Sequence, residues 1–151
     1  MQKKLNNKTL TPKQLESKIW KRLKRIDKLN FLESYAVFMG KVQIIEMALK
    51  NILINKYKYE EDRIEKWTLD GLIRELKRLK LRGDFTSLLE ELKDYRNYIA
   101  HDLLADYALM KKLFGTKADR LSWKRLRQGL FIVEKTIQVH DFLMENTNAK
   151  T

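Results

Sequence analysis

Between Tyr95 and Asp102 the chain reads Tyr-Arg-Asn-Tyr-Ile-Ala-His-Asp, and three of these side chains suit the cleavage of a phosphodiester. RNA carries its own nucleophile, the 2′-hydroxyl. Cutting it needs a base for that proton, an acid for the departing 5′ oxygen and positive charge beside the phosphorane. Histidine can take either proton role near neutrality, which makes His101 the candidate for proton transfer. Arg96 presents phosphate with a planar fork of donors that lysine lacks. Asn97 can orient the imidazole or the scissile phosphate.

The spacing sets a geometric problem. On an α-helix residues four apart share a face, so Asn97 and His101 point the same way. Five steps of about 100° leave Arg96 and His101 about 140° apart around the axis. Three arrangements bring both to one phosphate: the long arginine bends across, the helix is distorted, or a second copy of the chain supplies the missing group. The last would place two motifs at the axis of a two-fold dimer. An Arg followed at four to six residues by a His carries little information, because a shuffled chain of this composition holds roughly 0.4 such pairs; requiring Asn after the Arg and the fixed spacing lowers that to roughly 0.01. The competing readings are ordinary ones. They are a histidine satisfied inside a bundle, Tyr95 and Tyr98 as packing residues, and Glu46 paired with Lys50 on the surface instead of supporting Arg96. His140, on an apolar helix face beside Asp141, reads as structural or interfacial.

Arg96-Asn97-Tyr98-Ile99-Ala100-His101, late in a series of helices and preceded by apolar Leu92 and Tyr95, resembles the signature of the HEPN superfamily: an Arg, then a His four to six residues on, commonly with a polar residue after the Arg. The resemblance implies a helical bundle, a homodimer that brings two motifs together, and metal-independent endoribonuclease activity in a toxin or phage-defence role. It assigns catalysis to Arg96, Asn97 and His101, calls for no metal and no cofactor, and admits an antitoxin protein as partner. Members that bind RNA or proteins without cutting make a non-catalytic module the alternative. In one subgroup a tyrosine two residues after the histidine is adenylylated by a partner enzyme. This chain has Leu103 there, which puts that regulation in doubt.

The frame that must hold these residues is helical. The 151 residues include five Gly and one Pro, so there are few chain-breaking positions, and Leu, Lys, Glu, Arg and Ile dominate. The expected fold is all-α, an antiparallel bundle of four to five helices. Without cysteine there is no disulfide or thiolate metal site. No stretch of about eighteen apolar residues and no apolar leader occurs, so the expectation is a soluble, cytoplasmic protein that does not enter a membrane.

Net charge is +12, and residues 1–28 hold ten Lys or Arg against two acids. Such a domain attracts polyanions, and Lys18, Lys21, Arg22 and Arg25 are candidates for tracking an RNA backbone. The layout reads as a basic flexible tail over 1–11, one bundle domain over 12–145 and a disordered tail over 146–151. Thr11, Pro12 and Gln14 spell a helix start with a capping box, and Leu15, Ile19, Leu23 and Ile26 form its apolar side. Asn30 is the expected break before a long helix striped by Phe31, Tyr35, Phe38, Val42, Ile45, Leu49 and Ile52. Residues 57–67 read as a connection. Thr68 opens a helix with Leu69, Leu72, Ile73, Leu76 and Leu79 inward, with Gly83 as its stop and Asp84 as the next cap. The helix after that cap carries Phe85, Leu88, Leu92, Tyr95 and Ile99. Gly115 is the expected end of the segment beyond Leu104, and Thr116 caps a last helix bearing Trp123, Leu126, Leu130, Val133, Ile137 and Met144.

Overall fold

The chain enters its first helix through a reciprocal cap. Thr11 Oγ1 accepts from the Gln14 N–H at 3.2 Å, and Gln14 Oε1 accepts from the Thr11 N–H at 3.1 Å, with Pro12 in the first turn, where no amide hydrogen is missed. In the computed structural model, which describes residues 11–114 and 117–148 apart from the side chains of 110, 114, 117–120 and 146–148, this helix (α1) spans Pro12–Leu23. Irregular turns come next. The second helix (α2, Phe31–Tyr57) opens with the same device, Asn30 Oδ1 accepting from the Glu33 N–H at 2.8 Å while Glu33 Oε1 accepts from Asn30. Asn30 is therefore the break that its residue type predicts.

The stripe along α2 is core: Phe31, Phe38, Val42, Ile45, Leu49 and Ile52 are buried and Tyr35 is half-buried. At about 1.5 Å per residue this helix is about 40 Å long, and it packs on the two helices that follow it and on the last helix. The 57–67 connection contains a single helical turn (α3, Glu61–Ile64) pinned by fully buried Ile64. Lys50 Nζ donates to the Glu65 carbonyl there, at 2.5 Å. Lys50 is thus committed to α3 and not to Glu46, contrary to the simple i,i+4 expectation.

The fourth helix (α4, Leu69–Arg78) buries Leu69, Leu72, Ile73 and Leu76 as its period requires. Its end differs from the glycine stop expected. Lys80 takes the left-handed conformation, φ 58°; its N–H bonds to the Lys77 carbonyl and that of Leu81 to the Leu76 carbonyl, both at 3.0 Å. This is a Schellman termination built on lysine. Gly83 instead begins the fifth helix (α5, Gly83–Tyr98), and Asp84 sits inside the first turn, accepting from the Phe85 N–H and from Arg82 Nε.

The backbone then runs without a break from α5 through a π-helical turn, Ile99–Leu103, into α6 (Leu104–Phe114). The expected stop at Gly115 and cap at Thr116 lie outside the described residues. The long last helix (α7, Lys117–Asn148) buries Leu126, Leu130, Ile132 and Val133 and packs on α1, α2, α5 and α6. All regular structure among the described residues is helical. No helix among them is long and apolar enough to cross a membrane.

Candidate functional site

The π turn lies on the candidate motif. Its bonds close over five residues, so it takes roughly 4.4 residues, about 80° per step, against about 100° in an α-helix. From Asn97, two α-helical steps and two π steps carry the chain through about 360°, which sets His101 in line with Asn97; a regular helix would leave it about 40° off. The same widening narrows the angle between Arg96 and His101 from about 140° to about 100°. Of the three arrangements open on sequence grounds, helix distortion is present within the single chain.

Arg96 also bends. Adjacent helical residues do not face each other, yet Arg96 Nη1 donates to Asn97 Oδ1 at 3.1 Å, so the guanidinium is drawn to the side that Asn97 shares with His101. Arg96 and Asn97 are half-buried and His101 is exposed. Exposure removes the reading of His101 as a histidine satisfied inside the core. Arg96 forms no ion pair among the described residues, and its Nε is buried with no hydrogen-bond partner. Its donors are therefore not spent on a carboxylate among the described residues.

Two inward residues hold the turn. Ile99 and Leu103, at its two ends, are both fully buried. On α7, Gly129 makes room for Ile99: a Cβ there would stand 2.5 Å from Ile99 Cδ1 and 3.1 Å from Phe38 Cε2. The absence of a side chain lets α7 approach the π turn this closely. Leu103 lies in the core.

A polar clasp closes the outer side. Tyr98 Oη donates to Asp106 Oδ2 at 3.1 Å and accepts from Arg125 Nη1 at 2.5 Å, and the Arg125 guanidinium lies 4.7 Å from the Tyr98 ring centroid. Burial, before any other cause, raises the Tyr98 phenol above its ordinary value, so at neutral pH it stays protonated and able to donate. Arg125, Asp106 and Gly129 were not legible as site residues. Tyr98 and Asp106 are eight apart, about 80° off in a regular helix but aligned when one of two turns is π.

Lys18, Lys21, Arg22 and Arg25 are all exposed, on α1 and the turn after it. Among the described residues none of the four is hydrogen-bonded to the Arg96 motif, and the Arg96 side chain bonds only to that of its neighbour Asn97. His140 lies against Phe85, ring centroids 6.3 Å apart, with Nδ1 3.1 Å from Asp141 Oδ1, in keeping with a structural place. Glu46 is half-buried and makes no ion pair with Arg96 or Lys50 among the described residues. Among those residues no three His, Asp or Glu side chains cluster as metal ligands would. Comparison of the chain with protein families, with curated proteins and with solved structures returns no match in any of the three.

Proposed function

We propose that the chain is an endoribonuclease of HEPN type that cuts RNA through its 2′-hydroxyl and acts in a toxin or phage-defence role. The observation that carries this reading is the Arg96–Asn97 hydrogen bond on the side of the helix where exposed His101 stands at a π turn. In the reaction, the 2′ oxygen attacks phosphorus as the imidazole of His101 takes its proton. The bond from phosphorus to the 5′ oxygen breaks, that oxygen is protonated, and a 2′,3′-cyclic phosphate and a 5′-hydroxyl result. Arg96 stabilises the charge that builds on the phosphorane, and Asn97 fixes the guanidinium. No step needs a metal ion, since the nucleophile belongs to the substrate.

The single histidine of the motif cannot be base and acid in the same instant. A two-fold homodimer with both motifs at its axis resolves this by offering a second imidazole. Support for such an interface comes from α6, which continues directly from the motif and leaves Leu109 and Leu113 56% and 63% exposed. The test is cleavage of an end-labelled single-stranded RNA in the presence of chelator. His101→Ala, checked to keep the assembly state, should lose about 10²- to 10⁴-fold in rate; undiminished cutting refutes the assignment. A second reading, an RNA-binding module that makes no cut, draws on the exposed Lys18, Lys21, Arg22 and Arg25. Salt-sensitive RNA binding with no cyclic phosphate product would favour it.

A further inference from the structure

A cavity of about 770 Å³ opens between α1, the first turn of α2, α5 and α7. That is the size of a small-molecule site. Four aromatic side chains from three helices wall it: Trp20, Tyr95, Trp123 and Phe131. Trp20 and Phe131 are tilted against each other with centroids 5.6 Å apart, yet Trp20 remains 53% exposed. Such a ring is held in place but not used up by the core.

Two polar features distinguish this cavity from an ordinary packing defect. Ser34 lines it, is 1% exposed, and its Oγ has no hydrogen-bond partner. A buried hydroxyl without a partner is costly, and an occupant with a polar edge would satisfy it. Lys124 and Arg127 stand at the wall with a single acid, Asp27. The Arg127 guanidinium lies 5.6 Å from the Trp123 ring centroid. The occupant must therefore have flat π-faces, a hydrogen-bonding edge and adjacent negative charge. An aliphatic chain or an apolar helix would leave Ser34 unsatisfied and the cations without a counterpart.

We infer that this cavity is a nucleobase subsite, taking one base of a single-stranded RNA between the aromatic walls with its phosphate towards Lys124 and Arg127. The inference rests on the reading of the chain as an RNA-acting protein and extends it. Tyr95 of the wall and Arg96 of the motif are both residues of α5, so one helix carries the pocket and the motif on different faces.

The test uses the full chain carrying His101→Ala, which holds RNA uncut, and Trp67→Phe, which leaves Trp20 and Trp123 as the only fluorescent tryptophans. Hexaadenylate should quench their emission on binding, and inorganic polyphosphate, a polyanion without bases, should not. Trp20→Ala is a conservative probe because that ring is half outside the core. It should weaken hexaadenylate binding about ten- to a hundredfold with unchanged circular dichroism. Arg127→Gln should weaken it and lower its salt dependence. Equal quenching by polyphosphate, unchanged affinity in Trp20→Ala, no binding of hexaadenylate, or self-association that occludes Trp20 would each overturn the subsite. Binding that meets every expectation in a protein that never cuts RNA would overturn the nuclease reading and leave the subsite standing.

Discussion

Tyr98, the last residue of α5, donates its phenol hydrogen to Asp106 of α6 at 3.1 Å, across the whole π turn that carries His101. Arg125 of α7 meets the same oxygen from the other side. The clasp ties the distorted turn to its own downstream helix and to the helix behind it, so the orientation of His101 depends on a contact it does not itself make.

Tyr98→Phe keeps the ring under Arg125 and removes only the hydroxyl. It should cost about 1 kcal/mol in urea unfolding and speed hydrogen exchange at amides 99–104 more than elsewhere in the chain. The raised phenol pKa gives the pH sense. The contribution is complete below the ordinary tyrosine value near 10 and is lost as pH rises through the higher folded value. Exchange in this segment that matches the wild type would show that the clasp does not hold the turn.

Gly129→Ala should destabilise the protein although alanine favours helix. The new Cβ meets Ile99 and Phe38, both without exposed surface. Overpacking costs about 1–3 kcal/mol and helix propensity returns about 1 kcal/mol, leaving a net loss of about 1 kcal/mol. Adding Ile99→Val deletes the colliding Cδ1, so the double variant should lose less than the sum of the two single changes. Thermal melts of the four proteins decide it, and a stabilised Gly129→Ala would contradict the packing described.

Lys41 of α2 and Glu134 of α7 form an ion pair in which the glutamate is fully buried and the lysine about a quarter exposed. Burial first, and then the charge of Arg22, hold the Lys41 ammonium below its ordinary pKa. Lys41→Met leaves a buried carboxylate alone and should cost about 3 kcal/mol, whereas Lys41→Met with Glu134→Leu should recover most of that. Chemical unfolding measures both. A single variant as stable as the wild type would mean that Glu134 finds water or another partner.

Acid should act on the α3–α4 corner. Hydrogen bonds from Arg78 and from Tyr59 lower the Glu75 carboxyl from 4.5 to about 2. A depressed folded value means that the stabilisation is present above the ordinary carboxyl value and is lost as pH falls through about 2. Stability should drop across that window, and Glu75→Gln should flatten the drop. An unchanged profile in the variant would assign the acid sensitivity to other carboxylates.

Features made within one turn of chain were legible in the residues. The Thr11–Gln14 cap, the Asn30 break, the buried stripe of α2 and the inward leucines of α4 each depend on partners three or four positions apart, and residue type and spacing determine them. The end of α4 was not: glycine chemistry points to Gly83, whereas the left-handed residue is Lys80. The Leu81 N–H closes the stop on the Leu76 carbonyl, a turn that lysine can make at a modest backbone cost. The types and order of Arg96, Asn97 and His101 were legible for the same local reason, but their mutual orientation was not. That orientation turns on Ile99 and Leu103 seating together in a core opened by Gly129, and on Arg125 arriving from a helix some thirty positions later in the chain. Composition and period thus determined an all-helical, basic chain with a phosphate-suited triplet late in a helix. Only tertiary packing decided that the helix widens at the histidine, because a π turn weakens local hydrogen bonding and persists where contacts distant in sequence outweigh that loss.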